Sequence, residues 1–414
     1  MLKIQKLPGL KSYNYFNKQL IRRFFSRQLI LGIETSCDDT GCAIVDEKGN
    51  ILGEALHSQQ QIHLDNGGII PPIAQDLHRK NIEKVVWDAL DNAALRIDDV
   101  NAIAVTVKPG LPMSLEIGTK YSKYLCRQHN KPLIPIHHMQ AHALTARMIK
   151  KINFPFLVLL ISGGHCLLAL VKDVETFLLL GDCQNDAPGE AFDKTARRLK
   201  LKNIPEFSKM SGGQAIEVAA SKCTDPGRFQ LSVPLQHYKD CNFSLAGTKT
   251  QVLRAIQREE KQYGVPPDGI IPHAYDLSAS FLLIVTRHLC QRVQRGMEYL
   301  NRKDMMGEKK TLVVSGGAAC NNFIAKGLQI VCDEMGYDLV RPPKKLCTDN
   351  GVMIAWNGME KWLINSGITT DYDSVFTEKR CDLGPRSLID DLRNEAISCK
   401  WIKLTQLAQP EAFR

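Results

Sequence analysis

An α/β fold is predicted by three features of this sequence. Short apolar runs of strand length alternate with stretches of helical period. The order strand, polar turn, strand, turn, strand occurs twice, over residues 29–55 and again over 156–180. Both copies place small and polar residues in the first turn, so two such units facing each other bring both turns into one cleft. The duplication is one of topology, not of residue identity.

Taken in order, Leu29-Ile30-Leu31-Gly32-Ile33-Glu34 is the first strand. It breaks into Thr35-Ser36-Cys37-Asp38-Asp39-Thr40-Gly41, more small and polar residues than a hairpin turn needs. Such a loop lets backbone N–H groups face a phosphate, and its aspartates suit a metal ion or a positioned water. A decorated turn is the alternative. Strands over 42–45 and 51–55 complete the meander around the turn Asp46-Glu47-Lys48-Gly49-Asn50. A helix is predicted over 73–94, with Ile82, Val85, Val86 and Leu90 on one face. A buried strand over 100–107, a helix over 113–129 and a short strand over 133–136 follow.

The second copy runs through strands at 156–161, 166–171 and 176–180, with Ser162-Gly163-Gly164-His165 as its polar turn. Gly189-Glu190-Ala191-Phe192-Asp193 opens a helix whose Asp193 is placed to reach the cleft. Ser211-Gly212-Gly213 leads into a helix that carries Glu217. Residues 222–240 are polar and loop-rich, and 277–299 form a long amphipathic helix. A strand over 311–314 ends in Ser315-Gly316-Gly317-Ala318-Ala319-Cys320-Asn321-Asn322. Three Gly-Gly pairs beside core elements suit close approach of backbone to a ligand, a nucleotide above all, although each alone reads equally as a tight turn.

The segment Ile136-His137-His138-Met139-Gln140-Ala141-His142 starts a helix with His138 and His142 four apart. Residues so spaced share one face, and two imidazoles there can bind one metal ion; ordinary helix positions are the alternative. A metalloprotease would carry a glutamate after the first histidine, and Met139 stands there instead. Far along the chain, Cys347-Thr348-Asp349-Asn350-Gly351 runs into an apolar helix. Asp349 there is either the helix N-cap or a third metal ligand, and two imidazoles with one carboxylate suit a catalytic iron or zinc site.

Composition sets bounds. The chain of 414 residues has room for two domains of roughly 100–200 residues each. No apolar run approaches the roughly 20 residues that span a bilayer. Thirteen cysteines, odd in number and never spaced Cys-x-x-Cys, argue for reduced thiols in an intracellular compartment and against a disulfide scaffold. The net charge of +9 is concentrated at the N-terminus, where Lys3, Lys6, Lys11, Lys18, Arg22, Arg23 and Arg27 occur without one acid. With Phe16, Leu20, Phe24 and Phe25 interleaved, residues 1–28 look like a mitochondrial presequence, so the mature chain is expected in the matrix. The rest is mildly basic; Arg197-Arg198, Lys200, Lys202 and Lys344-Lys345 are its candidate contacts to nucleic acid, each read more readily as an ordinary solvated face.

Five motifs occur in an order that resembles one family. They are Gly32-Ile33-Glu34-Thr35-Ser36-Cys37-Asp38-Asp39-Thr40, His138-Met139-Gln140-Ala141-His142, Leu160-Ile161-Ser162-Gly163-Gly164-His165, Gly189-Glu190-Ala191-Phe192-Asp193-Lys194 and Cys347-Thr348-Asp349-Asn350-Gly351. Together they resemble the tRNA threonylcarbamoyladenosine transferases, over roughly residues 29–356, and the basic extension resembles that of the mitochondrial branch. Departures are small: Asp39 replaces a common Glu, Gln140-Ala141 a common Glu-Gly, and Phe243-Ser244-Leu245-Ala246-Gly247-Thr248-Lys249-Thr250 differs from the usual Phe-Ser-Phe-Ser-Gly-Leu-Lys-Thr.

The resemblance implies an actin-like ATPase (ASKHA) fold of two RNase H-like lobes with a cleft between them. Residues 29–150 would form the first lobe, with 351–414 packing back on it, and 151–350 the second. It implies one divalent metal ion per subunit, iron or zinc, held by His138, His142 and Asp349. It implies that Leu160, Ile161, Ser162, Gly163, Gly164, Asp193, Gly213, Glu217, Cys320, Asn321 and Thr348 line a site for threonylcarbamoyl-AMP supplied by a separate synthase. The acceptor implied is mitochondrial tRNA, and the assembly a homodimer. Within that chemistry Asp38 is the candidate for orienting the acceptor amine or taking its proton, with a turn-capping role as the alternative.

Overall fold

The computed structural model describes residues 27–414. The expected leader, residues 1–28, lies outside the described residues except at its end. Arg27 bonds the Asp46 carboxylate through Nε at 3.0 Å and Nη2 at 2.8 Å, and the Gln28 N–H donates to Glu47 at 2.8 Å. Those two residues are therefore bonded into the fold, although the sequence reading places them in the leader.

The first sheet begins as an antiparallel meander, β1 (Leu29–Glu34), β2 (Asp39–Asp46) and β3 (Ile51–Ser58). The polar loop is shorter than predicted, because Asp39, Thr40 and Gly41 already pair with β3. Two helices follow, α1 (Gln60–Asp65) and α2 (Pro71–Ala93), the second opened by a proline pair whose missing N–H groups cost nothing in a first turn. Then come β4 (Ala102–Lys108), α3 (Pro112–His129), β5 (Leu133–His137) and α4 (His138–Ile149). β4 and β5 run parallel to β1, giving the order β3-β2-β1-β4-β5.

The second sheet repeats that plan. Its meander is β6 (Phe156–Ile161), β7 (Cys166–Val171) and β8 (Phe177–Gly181). Helices α5 (Pro188–Arg198), α6 (Gly212–Ser221), α7 (Ala246–Tyr263) and α8 (Ala274–Arg302) come next. Then follow β9 (Thr311–Ser315), α9 (Asn322–Met335), β10 (Asp338–Val340), α10 (Lys344–Cys347), α11 (Gly351–Leu363) and α12 (Ser387–Glu395). β9 and β10 lie parallel to β6, so the order β8-β7-β6-β9-β10 matches the first sheet strand for strand. Among the described residues no helix is long and apolar enough to cross a membrane.

Between the two sheets lies one buried cluster. It joins Ile30, Ala43, Ala104 and Ile134 of the first sheet to Phe156, Val158, Leu160 and Ala169 of the second through Ala141 and Leu144 of α4 and Val352 and Ala355 of α11. α4 and α11 are thus the shared wall of the cleft. The loops after β1 and β5 leave the carboxyl ends of parallel strands of the first sheet, and those after β6 and β9 of the second, where open α/β sheets bind ligands.

α11 presses on the first sheet at backbone distance. A side chain at Gly32 would meet the Ala355 nitrogen at 2.2 Å, and one at Gly351 the Cys42 carbonyl carbon at 2.4 Å. Gly351→Ala is therefore expected to destabilise the protein by about 1–3 kcal/mol, read by denaturant unfolding. The segment expected to return to the first sheet divides. α11 lies there, and Thr369 pairs with Leu133, but α12 packs on β8 and Phe413 stacks on Phe323 of α9 at 4.2 Å. Periodicity alone does not pick out α1, α7, α9, β10 or α12.

Candidate metal centre and active site

His138 and His142 stand on consecutive turns at the start of α4, their rings edge to face with centroids 4.7 Å apart. Asp349 Oδ1 lies 3.5 Å from His138 Nε2 and 3.1 Å from His142 Nε2. The three ligand atoms fall within 4.8 Å of one another. Asp349 is not the helix cap. Asn350 caps α11, accepting the Met353 N–H at 2.9 Å, and leaves the Asp349 carboxylate to face the imidazoles. The neighbouring His137 is turned away, its Nδ1 accepting the Met139 N–H at 3.2 Å and its Nε2 donating to the Cys381 carbonyl at 3.3 Å.

A further carboxylate, which the sequence shows only as the end of an apolar strand, holds His138 in place. Glu34 is fully buried. Its oxygens accept the Ser36 N–H and the Thr106 hydroxyl, each at 2.5 Å, and its Oε2 lies 3.4 Å from His138 Nδ1. Ser36 Oγ sits 3.0 Å from the same nitrogen. A carboxylate behind Nδ1 keeps the proton there and turns the Nε2 lone pair toward Asp349, the usual way a metal-binding histidine is oriented. The donor set therefore fits a metal ion, with three protein ligands and further coordination positions left for a ligand.

The charges answer to one another. Burial opposes protonation of His138, but the Asp349 and Glu34 carboxylates outweigh it and raise its pKa to about 9. Burial likewise opposes the charge on Asp349, and His138 and His142 overcome it, holding that carboxyl well below the usual range. His165, at the end of the second polar turn, is lowered to about 4 by burial and then by the two histidines, so it stays neutral. A histidine whose folded pKa is raised stabilises fully below its unfolded value and loses that contribution as pH rises through the folded one. The metal-free protein is therefore expected to lose stability as pH climbs from about 6.5 to about 9, measured as the melting temperature in chelator.

The first polar loop is clamped from α2. The Thr40 hydroxyl donates to His78 Nδ1 at 2.7 Å, and His78 Nε2 donates to the Cys37 carbonyl at 3.0 Å. Burial keeps His78 neutral, as this pairing requires. Burial, then the Asp349 charge, raises Asp38, and burial raises Asp39 to about 7. Asp38 shares a cavity of about 430 Å³ with His63, Gly67, Asp193, Arg197 and Lys202, between the first polar loop and α5.

Two of the second lobe's glycine turns have open positions. A side chain on Gly163, Gly164 or Gly317 would meet no protein atom within 4 Å, whereas one on Gly189 would strike Gly163 Cα at 2.8 Å. Not all the predicted backbone donors are available. The Ser162 N–H donates to the His165 carbonyl at 2.9 Å and the Gly164 N–H to Ser162 Oγ at 3.3 Å. Among the described residues, Gly163 alone of the three has an N–H outside that turn's bonding. Leu160 and Ile161 are fully buried in two different cores, so only their backbone can shape the site.

Asp193 accepts the Gly212 N–H at 2.8 Å and so joins α5 to the start of α6, beside Gly213. Glu217 Oε1 accepts the Asn322 N–H at 2.6 Å, and Asn321 caps α9 through the Ile324 N–H at 3.0 Å. The Asn321 Nδ2 is buried and makes no hydrogen bond to the described residues. Thr348 is exposed, and its carbonyl accepts from Asn350 Nδ2 at 2.7 Å. The basic clusters are mostly engaged. Arg198 and Lys200 hold Glu260, Arg197 and Lys202 donate to the carbonyls of Gly67 and Leu64, and Lys345 pairs with Glu54.

Two duplicated lobes around a cleft, with a candidate His-His-Asp metal site at its wall, define an actin-like α/β protein. T. kodakarensis HypF shares the fold, matching 82% of this chain and 48% of that one with a TM-score of 0.50 at 13% identity. The sequence pattern of the tRNA N6-adenosine threonylcarbamoyltransferases matches residues 50–356. The mitochondrial tRNA N6-adenosine threonylcarbamoyltransferase of Xenopus tropicalis is 49% identical over 378 residues, 91% of this chain and 93% of that protein. Its counterpart from Homo sapiens is 47% identical over 376 residues, 91% and 90% of the two chains. The chain belongs to the tRNA N6-adenosine threonylcarbamoyltransferase family, in its mitochondrial branch.

Proposed function

We propose that this protein transfers the threonylcarbamoyl group from threonylcarbamoyl-AMP to the exocyclic amine of the adenosine 3′ of the anticodon, in mitochondrial tRNAs reading ANN codons, and releases AMP. The observation that carries this reading is the convergence of His138, His142 and Asp349 beside open glycine turns of the facing lobe. The lobes are drawn at 29–150 and 151–350. The donor comes from a separate synthase, and the working assembly is a homodimer.

The donor is a mixed anhydride, already activated, so no covalent enzyme nucleophile is needed. The amine nitrogen forms a bond to the carbamoyl carbon, the bond from that carbon to the phosphate oxygen breaks, and AMP leaves. The acceptor is a weak nucleophile, so the site works by positioning and charge stabilisation. His138, His142 and Asp349 would hold an iron or zinc ion, which would supply a Lewis acid for the phosphate or carbamoyl oxygen. The Gly163 N–H is the donor of that turn left to orient the adenylate, and Asn321 borders it. Asp193, Gly213, Glu217, Cys320 and Thr348 border it. Asp38, raised by burial and by Asp349, takes the amine proton more readily than an ordinary carboxylate.

Asp38→Ala is expected to abolish transfer while AMP still binds, a split read by calorimetry beside the transfer assay. The reading as a whole is tested by incubating unmodified tRNA and threonylcarbamoyl-AMP with this protein alone. Modified adenosine and AMP should appear together. No modified adenosine, with activity on some other substrate, overturns it.

A further inference from the structure

After α11 the chain runs as an irregular strap, residues 369–386, from the first lobe to the second. The strap is pinned along its length. Thr369 pairs with Leu133, Arg127 holds Asp373 at 2.6 Å, and the Tyr372 hydroxyl donates to the Lys131 carbonyl at 2.8 Å. The Val375 carbonyl accepts from Lys123 Nζ at 2.7 Å, and the Glu378 N–H donates to the Val107 carbonyl at 3.0 Å. At the far end the Pro385 carbonyl accepts the Leu179 N–H at 3.1 Å, and Arg386 pairs with Asp182 at 2.8 Å. Its middle borders the metal centre. The Cys381 carbonyl accepts from His137, the residue before the candidate ligand His138. The Lys379 carbonyl accepts the Gly110 N–H at 3.3 Å. Leu111, next along, donates to the carbonyl of Ser36, whose hydroxyl lies 3.0 Å from His138 Nδ1.

Three side chains of this held segment are left outward. Phe376 is 74% exposed, more than any other large apolar side chain among the described residues, with Lys123 Nζ 5.8 Å from its ring centre. It shares a groove of about 690 Å³ with Lys108, His137 and Gln140. Lys379 and Arg380 are exposed, and among the described residues neither makes an ion pair or a side-chain hydrogen bond. Of the strap's acids, Glu378 and Asp373 are paired with Lys108 and Arg127, while Asp371 and Asp382 have no cation among the described residues. A single exposed phenyl is ordinary on a protein surface. A phenyl and free cations on one held rim are what an unstacked RNA loop binds, the cations taking phosphates and the ring a base.

We propose that the strap docks the anticodon loop of the acceptor tRNA, with Lys379 and Arg380 on its phosphates and Phe376 stacked on one of its bases. The choice of RNA rests on the transfer reading above. An adenosine whose amine reaches the metal centre carries its loop neighbours to the rim of that centre, and this strap is the rim on the side of His137. Phosphate contacts fix position and the stacked base fixes the splay of the loop, so both act on binding of the acceptor and not on the adenylate.

The test measures binding of unmodified tRNA to the full chain as salt is raised from about 50 to 200 mM, with AMP binding and oligomeric state recorded beside it. Lys379→Ala with Arg380→Ala should weaken tRNA binding roughly tenfold and flatten the plot of log affinity against log salt by about 1–2, the share of two phosphate contacts. Phe376→Ala should weaken binding by a further factor of roughly ten with little change of salt slope, and Phe376→Trp should restore it where Phe376→Leu does not. AMP binding should not move in any of these variants. Unchanged tRNA binding and salt slope overturn the docking surface and leave the transfer reading standing. A Phe376→Ala protein that falls from dimer to monomer also overturns it, by showing that the ring packs between copies of the chain. If the variants lose tRNA as expected but the unaltered protein makes no modified adenosine, the transfer reading falls and the docking surface stands.

Discussion

Asp349→Ala strips the metal from this protein without unfolding it; that is the expected result of the most severe single change at the site. Asp349 Oδ1 is the one carboxylate between His138 Nε2 and His142 Nε2, at 3.5 and 3.1 Å. Removing it leaves two imidazoles, too few protein ligands for a tightly held catalytic ion. The fold should survive because the start of α11 depends on Asn350, which caps the helix independently of Asp349. Transfer is expected to fall by more than the roughly 10–100-fold that follows loss of a group merely supporting a ligand. Elemental analysis and thermal unfolding, run side by side, check the two halves of this expectation. A variant that keeps its metal, or loses metal only by unfolding, contradicts it.

Glu34→Gln should produce the second largest effect, although Glu34 touches no metal. Its buried carboxylate accepts three hydrogens, from Ser36, Thr106 and His138. An amide has one oxygen where Glu34 uses two, Oε1 for Ser36 and Oε2 for Thr106 and His138, and its nitrogen brings two N–H groups into a pocket of donors. His138 Nδ1 then faces no anion, and the tautomer that presents Nε2 to the metal loses its support. The expected cost is about 10–100-fold in metal affinity. The metal-free protein supplies a second readout. The His138 pKa of about 9, set against burial by Asp349 and Glu34, should drop when one of those charges is removed, followed by imidazole NMR. A pKa unchanged in the variant would mean that Glu34 only packs.

How much of this was legible in the sequence depends on how local each feature is. The meanders, the polar turns and the i, i+4 histidines are written in short windows, and the sheets with strand orders β3-β2-β1-β4-β5 and β8-β7-β6-β9-β10 show the duplication directly. Asp349 reads two ways because an aspartate before an apolar helix is also a good cap, and only the folded chain puts Asn350 in that role. Glu34 was hidden because its partners Thr106 and His138 lie 72 and 104 residues away. His78, clamping Cys37 and Thr40 from 41 and 38 residues off, was invisible for the same reason. Conversely, Leu160 and Ile161 travel with a motif that reaches the cleft, yet strand alternation sends their side chains into opposite cores. The basic clusters read as free surface until their partners Glu260, Glu54 and the carbonyls of Leu64 and Gly67 appear.

His138, His142 and Asp349 are expected to hold one metal ion on which transfer depends. The most direct test strips the protein with chelator and measures transfer from threonylcarbamoyl-AMP to unmodified tRNA while iron or zinc is titrated back. The expected curve starts near zero and rises to full activity at one equivalent of metal per chain, and it stays flat for Asp349→Ala. Full transfer by the stripped protein, with no response to added metal, would contradict the account.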